Sequence, residues 1–221
     1  LRYVIGKKSA QIQSFGTLRH FRTSEKPVGA TDRCIDCPKD VEAGCPYSAY
    51  KIYFRDRFYK GIRGWPTTVL TQTLTKESLA EALKTGPYGR CVYACDNDVV
   101  DNQVVNILFE DGSTASFTMN AFNFHTARKT RIFGTLGELE TDSETIEIHH
   151  FLDDSKRVVD TKAINDGGIL TGHGGGDQGI MQSFIQAVAE RDPHYILSDA
   201  NETLESHLMV FAAEKSRREG S

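Results

Sequence analysis

No stretch of this 221-residue chain approaches the ~18 consecutive apolar residues of a membrane-spanning helix. There is no basic surplus either: 26 Lys and Arg stand against 30 Asp and Glu, for a net charge near −4. That balance argues against nucleic acid as the main partner, since phosphate binding needs a basic face. No charged-then-apolar leader precedes the first element, so the expectation is a cytoplasmic protein with neither a membrane nor a nucleic-acid partner. Repeats and low-complexity tracts are missing too. So are a G-x-S-x-G elbow and a Cys–His catalytic signature. What is present, 39% hydrophobic and 25% charged residues, is enough for an ordinary globular core.

Leu1, Val4 and Ile5, followed by Gly6, Lys7 and Lys8, read as the last turn of a helix with a glycine stop. With no initiator Met, that pattern predicts a fragment cut from a longer protein inside a helix. Residues 10–21 alternate as a half-buried strand would. Residues 22–66 carry three cysteines and most of the prolines with little periodicity, which predicts an irregular excursion. Thr75 then opens a short helix that stops at Gly86-Pro87.

From Cys91 onward the pattern is strands. Residues 103–110 and 113–122 flank Asp111-Gly112, a strong hairpin signal. Segments 131–133, 138–141, 145–151 and 157–161 continue the series. Two helices close the chain, one with Ile180, Met181, Phe184, Ile185 and Val188 on one stripe, the other with Leu204, Leu208 and Phe211 on its inner side. Grouped strands with helices at the ends predict an α+β fold, an open and mostly antiparallel sheet with helices packed on one face.

Gly172-His173-Gly174-Gly175-Gly176-Asp177 stands before the first closing helix. Its glycines let backbone approach a ligand closely, and a helix start offers unpaired N–H groups. Neither phosphate fingerprint fits, because Asp177-Gln178 follows where a P-loop needs Lys and Ser or Thr, and the dinucleotide spacing is wrong. Asp177 is expected to cap the helix and to touch a ligand. His173 is either a substrate contact or a brace for the loop. A neutral, hydroxyl-rich ligand suits such a loop better than a nucleotide.

Cys34-x2-Cys37-x7-Cys45 reads as metal ligation before disulfide formation in a protein with cytosolic features. Three thiolates leave a structural zinc site one ligand short. His20 is expected to complete a Cys₃His site, with Cys91 and Cys95 as the other candidates and buried free thiols as the alternative. Between Arg90 and Asn102 the chain packs Asp96, Asn97, Asp98, Asp101 and Asn102, side chains able to grip substrate hydroxyls or simply to be solvated at a strand entry. His149 and His150 are neighbours in a strand and face opposite ways.

Four blocks carry a resemblance: YGRCVYACDNDVVDNQVVNILFEDGSTASFTMNAF, TRIFGTLGELETD, GILTGHGGGDQGIMQSFIQAV and LESHLMVFAAEKSRREG. With Cys45-Pro46-Tyr47-Ser48-Ala49, they resemble the C-terminal part of the glucose–fructose oxidoreductase and inositol dehydrogenase (Gfo/Idh/MocA) family. The resemblance implies the substrate-binding and oligomerisation domain, over residues 1–221, of an enzyme acting on a hydroxyl or carbonyl of a sugar or polyol. NAD or NADP would be held by an N-terminal Rossmann domain outside this chain, and a homo-dimer or tetramer is implied. The family's catalytic Lys and its His–Asp segment would also fall outside, and Glu25-Lys26-Pro27 stands in the wrong context to replace the former. No catalytic residue is therefore expected here, His173 being at most auxiliary, and the fragment alone is expected to be inactive. Substrate-facing roles carry over, more loosely, to His173 and Asp177 and to Arg90, Asp96, Asn97 and Asp98. The other reading is a non-catalytic, zinc-stabilised protein-interaction module.

Overall fold

The alternating and helical patterns settle close to where they are expected. A computed structural model describes residues 1–124, 128–164 and 172–220. In chain order the elements are α1 (Arg2–Ile5), β1 (Ser9–Thr17), α2 (Lys39–Gly44), α3 (Thr67–Leu70), α4 (Lys76–Thr85), β2 (Asn102–Phe109), β3 (Thr114–Asn120), β4 (Thr130–Phe133), β5 (Gly137–Thr141), β6 (Thr145–His150), β7 (Lys156–Asp160), α5 (Gly176–Glu190) and α6 (Ala200–Glu219). The fold is α+β, with two open antiparallel sheets in the orders β1-β2-β3 and β4-β5-β6-β7 where a single sheet was expected. Among the described residues no helix is long and apolar enough to cross a membrane. Ile169-Leu170-Thr171, the run before the glycine loop that the sequence makes too short for the strand of a dinucleotide motif, lies outside the described residues.

The chain gathers into two compact units. One comprises Ile12–Ile107, Thr114–Ala121 and Ala213–Ser221. The excursion is irregular, as expected, and it shares a core with α4. Ala49 and Phe54 of the excursion bury with Leu79 and Leu83 of α4, and Cys34, Tyr53 and Phe58 pack against them. A capping box starts α4: Thr75 accepts from the Ser78 backbone N–H, and the Ser78 hydroxyl accepts in return. At the other end the Arg33 guanidinium donates to the carbonyls of Leu83 (3.0 Å), Gly86 (3.0 Å) and Thr85 (3.2 Å). The excursion thus supplies the cation that a helix C-terminus favours. In the same unit β1 is an edge strand, and its Ser14 N–H is satisfied by Ser216 Oγ of α6 at 3.0 Å.

The other unit comprises Leu1–Gln11, Leu108–Ser113 and Phe122–Ala212. α1 stops at Gly6, whose φ of 69° is the left-handed conformation read from the sequence. In the four-stranded sheet the register aligns Ile132, Leu139 and Ile148 in one row and Ile146 opposite Val159 in the next. These half-buried residues share one face. The other face carries the Arg131–Glu138 and Lys156–Glu147 pairs at 2.9 and 2.7 Å.

The closing helices correct an expectation. The stripe Ile180, Met181, Phe184, Ile185 and Val188 is exposed, and Ala187 is the buried residue of α5. In α6, Leu204, Leu208 and Phe211 are exposed too, while Met209, Ala213 and Ser216 are buried. Helical period finds a stripe but cannot say what covers it.

Candidate functional site

Of the four residues expected to bind metal, Cys34, Cys37 and Cys45 line one cavity, and Cys91 rather than His20 stands in its wall with them. Cys34 opens a one-turn 3-10 helix, Cys37 ends it, and Cys45 follows α2. Backbone pairing brings the second segment in: the Cys91 N–H donates to the Asp32 carbonyl at 2.8 Å, beside an antiparallel bridge between Arg33 and Arg90. Cys34, Cys37, Cys45 and Cys91 then line one cavity of about 20 Å³, together with Val41 and Tyr93. A space of that size holds one water or one ion. None of these cysteines is in a disulfide.

His20 does not line this cavity. Its ring lies in an aromatic cluster with Phe21, Tyr47 and Tyr93, and Nε2 is 3.0 Å from the Tyr93 hydroxyl. Burial first, then the neighbouring Cys45, pushes the Tyr93 phenol up to about 12. Cys95 also stands apart, its Sγ–H donating to the Cys91 carbonyl at 3.2 Å.

The sulfurs are met by donors. Cys37 Sγ accepts from the Thr31 N–H (3.5 Å) and hydroxyl (3.4 Å), and backbone N–H groups of Ala49 and Tyr47 reach Cys34 and Cys45. Burial still pushes the Cys34 and Cys45 thiols up, and the other cysteines add to that. Among the described residues no three His, Cys, Asp or Glu side chains stand at the separations of a formed metal centre.

The glycine loop differs from its expectation. Gly172–Gly175 form a 3-10 turn, and the cap of α5 is Gly175 at φ 93°, with no side-chain cap bond. Asp177 therefore lies inside the first helical turn, where its charge still suits the helix dipole. Its carboxylate oxygens are 3.0 and 3.1 Å from His173 Nδ1. His173 is held at φ 53°, an uncommon backbone for a non-glycine residue, with its side chain 86% exposed. The loop thus presents an imidazole with one ring nitrogen already engaged by a carboxylate.

The acidic segment spreads over several jobs. Arg90 pairs with Asp96 at 2.6 Å, which lowers the Asp96 carboxyl, and both side chains are exposed. Asn97 Oδ1 accepts from the Val99 N–H at 3.3 Å, and Asp98 is exposed. Asp101, which the sequence placed in the same hydroxyl-gripping group, is 2% exposed and accepts from the backbone N–H groups of Arg19, His20 and Phe21. It is a structural anchor. Lys26 of the Glu-Lys-Pro triplet is ion-paired with Asp32 at 2.6 Å. His173 and Asp177 belong to one unit and Arg90, Asp96, Asn97 and Asp98 to the other.

The first turn of the helix after the glycine loop carries Asp177, whose negative charge is unfavourable to a phosphate there. A scan against protein-family models gives no match, and a search of curated proteins gives none.

Proposed function

We propose that this chain is the substrate-binding and oligomerisation domain of a cytoplasmic NAD- or NADP-dependent oxidoreductase acting on a hydroxyl or carbonyl of a sugar, polyol or related compound. One observation carries this reading. Most of the residues that resemble the glucose–fructose oxidoreductase and inositol dehydrogenase family lie in strands and helices of an α+β chain, the class expected, although the strands form two open sheets rather than one. The dinucleotide would be held outside these residues, and no step of the reaction is assigned to it here.

The role of this chain is to recognise and hold a polyhydroxyl compound. His173 Nδ1 is engaged by Asp177, which leaves Nε2 for a substrate hydroxyl. The exposed apolar stripe on α5 supports the oligomerisation role, since such a stripe suits a protein surface better than water.

In the full-length enzyme, His173→Ala is expected to lower kcat/KM about tenfold, the worth of one hydrogen bond of ~1.4 kcal/mol. An exposed side chain in a surface ion pair contributes little to the fold, so Tm should hold within about 1–2 °C. Steady-state kinetics on a sugar and polyol panel, with thermal melts beside them, check this. Unchanged kinetics with a lowered Tm would make the loop a brace only. The non-catalytic, metal-stabilised module draws on the four-thiol cavity, and a full-length chain that binds neither NAD(H) nor NADP(H) favours it.

A further inference from the structure

We propose that Cys34, Cys37, Cys45 and Cys91 together hold one zinc ion as a closed tetrathiolate, with Cys91 in the place that the sequence suggests for His20. The inference does not rest on the oxidoreductase reading; a structural metal is compatible with an enzyme domain and with an interaction module alike.

Three observations converge on it. Cys34, Cys37, Cys45 and Cys91 line a single cavity, with Glu42 also in its wall, and its volume of about 20 Å³ is that of one ion. All four side chains are cysteine, a soft donor set of the kind that structural zinc sites use, and four thiolates would leave no open position for catalysis. The surroundings suit a site whose four thiolates outweigh the ion's charge. Thr31 donates to Cys37 from both its backbone and its hydroxyl, and the Ala49 and Tyr47 N–H groups reach two more sulfurs.

The chain topology explains what such a site would do. Cys34, Cys37 and Cys45 lie within the excursion, whereas Cys91 is reached only across the Asp32–Cys91 and Arg33–Arg90 pairing. One ion would tie the excursion to the segment that follows α4. Ligation requires the four sulfurs to turn further inward than they stand, since among the described residues no three such side chains are at metal-holding separations. Each thiol gives its proton to solvent as it binds.

The test is elemental analysis of purified protein expressed in zinc-supplemented medium, combined with thiol footprinting. The expected result is one zinc per chain, with Cys34, Cys37, Cys45 and Cys91 protected from alkylation and Cys95 labelled. A chelator under native conditions should expose those four together. Cys91→Ser is expected to lose the zinc, while Cys95→Ser and His20→Ala keep it. Should Cys91→Ser fail to fold, the footprint of the unmodified protein decides on its own. Well under one zinc per chain, disulfide-linked peptides among the four, or zinc that survives Cys91→Ser but not His20→Ala would overturn the proposal.

Discussion

Gly89→Ala is expected to lower stability by about 3 kcal/mol or more, a drop of roughly 6–12 °C in Tm for a chain of this size. The reason is a close approach of two backbones. Gly89 is buried on the 3-10 turn Pro87–Gly89, against the last turn of α4. A Cβ there would sit 1.6 Å from the Leu83 carbonyl oxygen and 2.8 Å from the Leu83 Cα. Neither atom belongs to a flexible side chain, so the turn or the helix end must move. That carbonyl also accepts from Arg33, so the shift costs the helix one of its caps.

The damage should spread along the chain. The turn leads directly into Arg90 and Cys91, the residues that pair with Arg33 and Asp32. Gly89→Ala should therefore loosen the wall that brings Cys91 to the other thiols, read as faster alkylation of Cys91 in the native protein. Gly64→Ala is the control, because nothing lies within 4 Å of a Cβ at Gly64. It is expected to stay within about 0.5 kcal/mol of the parent. Equal effects from the two substitutions would mean the backbones are not packed as described.

Asp101→Asn comes next, at about 2–3 kcal/mol. Asp101 Oδ2 accepts from the N–H groups of His20 (2.6 Å) and Phe21 (3.1 Å), and Oδ1 accepts from Arg19 (3.0 Å) and the Asn102 amide (2.8 Å). An asparagine must turn its NH₂ against donors whichever way it is flipped. Burial alone would raise this carboxyl, but the three backbone N–H groups and the Asn102 amide outweigh it and hold it at about 2.

The pH dependence follows from that depression. The group's contribution is fully present above its unfolded value near 3.8 and is lost as pH falls through about 2. Urea denaturation at neutral pH should show the whole deficit of the Asn variant. Near pH 2 the gap between variant and parent should narrow. A constant gap at both pH values would show that the carboxylate charge is not what the three N–H groups require.

Much of the fold is legible locally. The β2–β3 turn at Asp111-Gly112, the α4 start at Thr75, and the four short strands from Thr130 to Asp160 are each set by residues within a few positions, and they fall close to where the patterns place them. Most of the losses are non-local. Asp101 looks like one more solvated acid until residues from far along the chain, Arg19, His20 and Phe21, present their N–H groups to it. His20 is the first candidate on spacing and Cys91 one of the others, and the Arg33–Arg90 bridge brings Cys91 to the cavity wall. The stripes on α5 and α6 are real periodicities, but period alone does not identify the covering surface. Asp177 stands two residues past the cap: glycine at φ 93° can start a helix without a side-chain acceptor, and Gly175 does so.

The central claim is that this chain holds a polyhydroxyl substrate while the dinucleotide is held elsewhere. The most direct measurement is paired calorimetric titration of NAD(H), NADP(H) and a sugar and polyol panel, into residues 1–221 and into the full-length product of the gene. The expected result is no tight dinucleotide binding by residues 1–221, clear dinucleotide binding by the full-length protein, and polyol binding that His173→Ala weakens in both. Tight NAD(H) binding by residues 1–221 alone, or a full-length protein that binds neither dinucleotide, would contradict it.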